Sequence, residues 1–95
     1  MQFVILCQDK PESLELRMAT RPAHLDYLKT QDAQLLGAGP LLDDNDSPIG
    51  SMFMVEFPSE AEAKNFSAND PYAKAGLFAK VEVRRWRWLV KPQTA

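Results

Sequence analysis

One cysteine and one histidine are present among the 95 residues, and this scarcity limits the chemistry open to the chain. The single thiol, Cys7, cannot close a disulfide within the chain, and structural zinc sites usually require several Cys or His ligands. Free thiols are typical of reducing compartments. We therefore expect no metal centre and a cytoplasmic location.

Long hydrophobic runs and an excess of positive charge are also absent. The apolar stretch at residues 3–7 is far shorter than the roughly 18 residues of a membrane span. The chain has eleven Lys and Arg residues and thirteen Asp and Glu residues, so its net charge is −2. This charge gives no basic surface for nucleic acid. No glycine-rich phosphate-binding loop is present either. We expect no membrane, nucleic-acid or cofactor partner.

The first long helix is predicted to begin after Ser13, which is placed to act as N-cap, and to reach about Asp32. Pro22 lacks the N–H that would bond the carbonyl four residues earlier, at a cost of roughly 3 kcal/mol within a helix. We expect a break or kink near Thr20-Arg21, with Pro22 opening a second helical piece. The spacing predicts a helix face packed on the core, made of Leu14, Met18, Arg21, Leu25 and Leu28.

Period-two alternation and turn residues predict four strands, at 3–7, 35–42, 50–57 and 78–90. The apolar positions of the last strand change from odd to even midway. A strand cannot change phase without an extra residue, so we predict a bulge at Arg84-Arg85.

A second helix is predicted from the capping box of Ser59 and Glu62 to about Ala68. Asp70-Pro71 then predicts a cap and first residue of a short helical turn that ends at Gly76.

This order of elements indicates one α+β domain over residues 1–95 with the ferredoxin-like βαββαβ arrangement and helices on one face of an antiparallel sheet. The second face is predicted to be apolar as well. It would combine either Val4 and Leu6 or Phe3 and Ile5 with Met52, Met54 and one side of the tryptophan strand. A patch of that size is rarely exposed by a monomer, so we expect a homodimer.

His24 is the centre of the candidate site, because histidine is the side chain whose ordinary pKa lies nearest neutrality. On a helix, Arg17, Arg21, His24 and Leu28 share one side. Asp70 is a candidate to orient the imidazole. Arg17, Arg21 and Tyr72 are candidates to bind the substrate.

Each of these residues also has a purely structural interpretation. A marginal histidine often packs or hydrogen-bonds only, and the arginines could form a solvated edge with surface ion pairs. Asp70 could serve only as the helix cap, and Tyr72 could be a core residue with its hydroxyl at the surface. The acidic stretch 43–46 lacks the spacing of a calcium loop and is interpreted as a turn.

Several segments resemble the YciI-like (YCII-related) family across nearly the whole chain. They are Gln8-Asp9-Lys10-Pro11, Leu16-Arg17, Arg21-Pro22-Ala23-His24-Leu25, Ala38-Gly39-Pro40-Leu41, Gly50-Ser51, Asn69-Asp70-Pro71-Tyr72-Ala73-Lys74-Ala75-Gly76-Leu77-Phe78 and Trp86-Arg87-Trp88. The resemblance implies a dimeric ferredoxin-like α/β barrel with a His–Asp active site. Carried over by position, His24 and Asp70 form that site and Arg17 lies nearby.

Three functional hypotheses remain open at this point. The first is a cofactor-independent lyase or isomerase in which His24 moves a proton on a small anionic or phenolic ligand, with Asp70 as its partner. The second is a dimeric ligand-binding or accessory protein without catalysis. The third is an oxygen-using relative of other dimeric α/β barrels, in which His24 would have to bind haem.

Overall fold

Four strands and three helices make up the part of the chain that a computed structural model describes, residues 1–91. In chain order they are β1 (Gln2–Asp9), α1 (Leu14–Thr30), β2 (Leu35–Leu42), β3 (Pro48–Glu56), α2 (Glu60–Ala68), α3 (Pro71–Lys74) and β4 (Phe78–Trp86). The sheet order is β2-β3-β1-β4 and every neighbouring pair is antiparallel. The predicted α+β, ferredoxin-like fold is confirmed.

The hydrophobic core lies between one face of the sheet and the helices. Alternate residues of β1 and β3 point toward the helices, as the period of two requires. The buried cluster consists of Phe3, Ile5, Cys7, Phe53, Val55, Ala63 and Phe66. Helix α2 contributes its part because Ser59 caps its first turn, accepting a hydrogen bond from the Glu62 backbone N–H at 3.3 Å. The predicted Ser59 cap is therefore confirmed, and the Glu62 carboxylate reaches back to accept from the Ser59 hydroxyl at 3.2 Å rather than from its backbone N–H.

The predicted break in the first helix is wrong, because α1 is continuous through Pro22. Pro22 still removes one donor, and the carbonyl of Met18 loses its helical partner. Both residues are exposed, so water can solvate that carbonyl and the helix tolerates the proline. Ser13 occupies the N-cap position without capping through its side chain, which bonds the Pro11 carbonyl at 3.3 Å.

The predicted core-facing stripe of α1 is wrong except for Leu28, which packs against the core cluster. Leu14 is 45% exposed and Met18 is 50% exposed, whereas the buried residues of this helix are Arg17 and His24. Polar side chains can face the interior of a protein only where hydrogen-bond or ion-pair partners offset the free-energy cost of their desolvation. Those partners exist here, and they create the candidate site described below.

The last strand contains no bulge at Arg84-Arg85, contrary to the prediction. Its register with β1 is regular from Lys80 to Trp86, and the irregularity lies instead between Gln8 and Asp9. The strand ends at Trp86, so the segment up to residue 90 does not extend it. The side chains of β4 therefore alternate between the two sheet faces without interruption. Trp86 lies opposite Gln2, on the sheet face away from the helices.

That outer face of the sheet is only partly apolar. Val4 pairs with Met54 and Leu6 pairs with Met52 at its centre, and all four side chains are half-buried. β4 adds a charged row at the edge, Lys80, Glu82 and Arg84, where the sequence analysis placed apolar residues. Within residues 1–91, no helix has the length and apolar character needed to cross a membrane.

Candidate active site

His24 and Asp70 lie in direct contact, although 46 positions separate them in the chain. His24 Nδ1 is 2.8 Å from Asp70 Oδ1, and the residues are 7% and 1% exposed. A carboxylate that accepts this hydrogen bond requires the imidazole proton on Nδ1. No described residue forms a hydrogen bond with His24 Nε2, which leaves its lone pair available.

Asp70 is fixed by the short turn that it opens. It occupies the N-cap of α3, with Pro71 as the first helical residue, and its Oδ1 accepts the Tyr72 backbone N–H at 2.9 Å. Gly76 follows the turn with φ of 77°, a conformation that glycine adopts at low cost. The same oxygen therefore caps a helix and holds an imidazole. Asp70 Oδ2 is fully buried and has no partner among the described residues.

Aromatic rings hold the His24 imidazole in place. The Tyr72 ring stacks on it with centroids 3.9 Å apart and planes 17° apart, and the Phe53 ring meets it edge-on at 5.9 Å. Tyr72 belongs to the same turn as Asp70, whereas Phe53 comes from β3. The imidazole is thus oriented by one hydrogen bond and two ring contacts.

Arg17 lies two helical turns before His24 and is equally well fixed. Its Nη1 donates to both carboxylate oxygens of Asp9, at 3.0 and 2.9 Å, and its Nη2 donates to Ser51 Oγ. Its guanidinium carbon lies 4.7 Å from the centroid of the Tyr72 ring, a cation–π distance. Burial raises the pKa of Asp9, and the guanidinium of Arg17 acts in the opposite direction.

Asp9 and Ser51 were not predicted as site residues, although the strand pattern contains a signal for both. Asp9 has the same parity as Phe3, Ile5 and Cys7 on β1, so it falls on the core face. Ser51 likewise shares the inward face of β3 with Phe53. A polar residue at an inward position needs a partner, and Arg17 satisfies both.

A cavity of about 260 Å³ opens beside the imidazole, between α1 and strands β2 and β3. His24, Tyr72, Ser51 and Arg17 line its polar part, and Arg21 lines it while remaining exposed to solvent. Its apolar lining comes from Met18, Leu25, Leu28, Ala38, Pro40, Pro48 and Phe53. Four of the five residues of the stripe predicted for the core therefore line this cavity: Met18, Arg21, Leu25 and Leu28.

Cys7 lies under this site without being suited to react. It is buried, and its burial raises the pKa of the thiol to about 12, with the Asp70 carboxylate acting in the same direction. The thiolate is the nucleophilic form of cysteine, so we assign Cys7 to packing. Within residues 1–91 no three side chains of the His, Cys, Asp or Glu type are grouped to hold a metal ion.

Three relatives illustrate the similarity of this chain to known proteins. Protein YciI of Escherichia coli O6:H1 is 39% identical over 92% of this chain and 97% of its own. The 5-chloro-2-hydroxyhydroquinone dehydrochlorinase TftG of Burkholderia phenoliruptrix AC1100, solved in complex with 2,5-dihydroxybenzoquinone, is also 39% identical, with a TM-score of 0.85 over 92% of this chain and 94% of TftG. A putative antibiotic biosynthesis monooxygenase of Bacteroides thetaiotaomicron shares the fold at 16% identity, with a TM-score of 0.60 over 100% and 94% of the two chains.

The YCII-related domain matches residues 1–87, which is nearly the whole chain. Two relatives, Protein YciI and TftG, are similar at the level of sequence, and the third is similar in fold alone. The chain belongs to the YCII-related family.

Proposed function

We propose that this protein is a cofactor-independent enzyme in which His24 Nε2 transfers a proton on a small hydroxylated cyclic compound. The observation that carries the proposal is the 2.8 Å contact of Nδ1 with Asp70, which leaves Nε2 unpartnered in a residue that lines the cavity. A general base needs a lone pair within reach of the proton that it removes. His24 Nε2 meets that requirement.

Asp70 serves as the positioning partner in this proposal. Its carboxylate keeps the proton on Nδ1, and its negative charge stabilises the imidazolium that forms when Nε2 takes up a second proton. The charge is well placed for this because Asp70 is 1% exposed and little screened by water.

The proposed substrate class rests on the cavity and on one relative. Pockets for drug-sized ligands measure roughly 300–1,000 Å³, so a cavity of about 260 Å³ suits a single substituted ring. TftG, whose name states a chlorinated hydroxyhydroquinone as substrate, is 39% identical to this chain. A ring that bears hydroxyl or carbonyl oxygens matches the polar part of the cavity, and its carbons match the apolar lining.

The two arginines have different proposed roles. Arg17 uses both terminal nitrogens on Asp9 and Ser51, so it acts as a fixed positive charge near the reacting oxygen. Arg21 is exposed at the cavity and no ion pair is formed by it within the described residues. Its guanidinium is suited to an anionic substituent of the ligand.

The reaction is of the lyase or isomerase type. Nε2 removes a proton from a hydroxyl group or a carbon, and the electron pair of that bond stays on the ligand as a phenolate or enolate. The pair then either expels a leaving group or accepts the proton at another atom. Nε2 returns its proton to the ligand or to water, so no external oxidant or reductant enters the balance.

The proposal is tested first by NMR, because His24 is the sole histidine and its imidazole signals are unambiguous. A long-range ¹H–¹⁵N spectrum of the neutral imidazole is expected to show the proton on Nδ1. Adding 2,5-dihydroxybenzoquinone should move the Nε2 resonance toward its protonated position. The matched control ligand is 1,4-dimethoxybenzene, a similar ring without an acidic hydroxyl, which should not protonate Nε2.

Different outcomes separate the hypotheses. A proton on Nε2 in the free protein, or an Nε2 that responds to none of a panel of hydroxylated rings, would contradict the proposal. A ligand that protonates Nε2 and is never converted would identify the non-catalytic binding protein instead.

We also propose a homodimer formed through the outer face of the sheet, as in the related dimeric α/β barrels. Light scattering is expected to give twice the chain mass. Met54→Glu places a charge at the centre of that face and should yield monomers, whereas Leu16→Glu on the exposed side of α1 should leave the dimer intact. A wild-type protein of single-chain mass would refute the homodimer.

We also propose that residues 1–95 form one domain and that the protein is located in the cytoplasm. The family match over residues 1–87 supports the single domain. The free thiol of Cys7 supports a reducing compartment.

A further inference from the structure

The Tyr72 ring lies between two side chains of α1. Its centroid is 3.9 Å from that of the His24 imidazole and 4.7 Å from the guanidinium carbon of Arg17. The two helical residues are seven positions apart, roughly 10.5 Å along a helix, which is room for one aromatic ring between them. Tyr72 therefore fills the space that separates the proposed base from the buried positive charge.

The hydroxyl of Tyr72 has no assigned partner. It forms no hydrogen bond with any residue in 1–91, although Tyr72 is only 2% exposed. Asp70 Oδ2 is the one fully buried side-chain nitrogen or oxygen in this range without a partner. The Tyr72 hydroxyl is thus not fully enclosed, and Tyr72 lines the cavity.

Charged groups of both signs act on this hydroxyl. The guanidinium groups of Arg17 and Arg21 favour negative charge there, and the carboxylates of Asp70 and Asp9 oppose it. Burial raises the pKa of Tyr72, and the positive charge of Arg17 partly opposes this effect. The phenol is therefore neutral at neutral pH and can donate a hydrogen bond to a ligand oxygen.

We propose that the Tyr72 hydroxyl is a catalytic residue that donates a hydrogen bond to the ligand oxygen on which negative charge develops as His24 removes the proton. This inference rests on the proposed function and extends it with a second group that touches the substrate. The proton stays on Tyr72, so no bond is made or broken at this residue. Donors placed at a developing oxyanion account for a large share of the rate enhancement in many enzymes.

The competing interpretation is that Tyr72 is only a spacer whose ring fixes His24 and Arg17. Tyr72→Phe separates the two roles because it keeps the ring and removes the hydroxyl. Tyr27→Phe is the matched control, since the Tyr27 hydroxyl donates to the Phe66 carbonyl at 2.8 Å and Tyr27 does not line the cavity. Both variants should unfold cooperatively, which thermal melting checks.

The probe is 4-nitrophenol, whose visible absorbance distinguishes its neutral form from its phenolate. The wild-type protein is expected to bind the phenolate more tightly than the phenol. Tyr72→Phe should weaken phenolate binding by roughly 10- to 100-fold, the loss of one hydrogen bond to a charged group, and leave phenol binding nearly unchanged. Tyr27→Phe should retain the wild-type preference.

Two results would overturn the inference. One is a Tyr72→Phe variant with the wild-type preference for the phenolate, and the other is a wild-type protein without such a preference. The NMR response of Nε2 reports on the proposed base independently. An Nε2 that never gains a proton, together with a phenolate preference that depends on Tyr72, would reject the proposed function and keep the hydrogen-bond donor.

Discussion

His24→Gln is expected to lower the turnover of a converted hydroxylated ring by roughly 10²- to 10⁴-fold, the usual contribution of a positioned general base. Glutamine keeps a side-chain amide that can donate to Asp70, so the buried carboxylate retains a partner. It offers no group that accepts a proton at neutral pH. The loss should therefore appear in kcat, with a smaller change in KM.

A double-mutant cycle of His24→Gln with Asp70→Asn tests whether the two residues act together. Asparagine is also a good N-cap, so it can still accept the Tyr72 N–H and keep the turn of α3. That same oxygen contacts Nδ1, so the cap and the Nδ1 contact can both remain while the negative charge that stabilises the imidazolium is lost. The corresponding Asp-to-Asn replacement lowers kcat about 10⁴-fold in another His–Asp system.

If the two residues act as one unit, the double variant should be scarcely slower than the slower single variant. Additive losses would show that Asp70 acts independently of the imidazole. A His24→Gln variant as active as the wild type would remove His24 from the reaction.

The fold was predictable because local signals in this chain agree with one another. The Ser59–Glu62 capping box, the Asp70-Pro71 turn and the alternation of β1 and β3 each determine an element from nearby residues. The order of those elements allows few arrangements, and the four-stranded antiparallel sheet is one of them.

The orientation of α1 was not predictable from periodicity. Periodicity assigns Leu14, Met18 and Leu25 to the core, but the structure turns Arg17 and His24 inward. That choice depends on acceptors at Asp9, Ser51 and Asp70, which lie on three other elements. A rule based on neighbouring residues cannot include these long-range partners.

The same three acceptors explain why the residues of the candidate site were only partly predicted. His24, Asp70, Arg17, Arg21 and Tyr72 were named from their chemistry and from the resemblance. The structure brings His24, Asp70, Tyr72 and Arg17 into one contact network and leaves Arg21 at the exposed margin of the cavity. The sequence signal for the two missed residues is that Asp9 and Ser51 are polar residues at inward-facing strand positions.

Asp9→Ala is expected to destabilise the protein by about 3–5 kcal/mol, as does the removal of one partner from other buried ion pairs. The Asp9 and Arg17 side chains are 6% and 5% exposed, so the variant would leave a guanidinium buried with only Ser51 as acceptor. Urea denaturation followed by circular dichroism measures the free energy of unfolding.

The matched control is Glu82→Ala, which deletes the carboxylate of an arginine pair of similar length, 2.7 Å from Arg84. That pair is exposed at the sheet edge, where water solvates the guanidinium that remains. The midpoint of unfolding should therefore change little. Equal destabilisation by the two variants would contradict a special cost of burial at Asp9.

The raised pKa of Asp9 leads to a second expectation for the same pair. Because burial dominates over the favourable effect of Arg17 on that pKa, the attraction between the two charges does not fully offset the desolvation of the carboxylate. Replacing both residues with apolar ones, as in Asp9→Leu with Arg17→Met, should then recover much of the stability that Asp9→Ala loses. Activity should not recover, because the fixed positive charge beside Tyr72 is gone. A stable but inactive double variant would show that this buried pair is retained for the site and not for the fold.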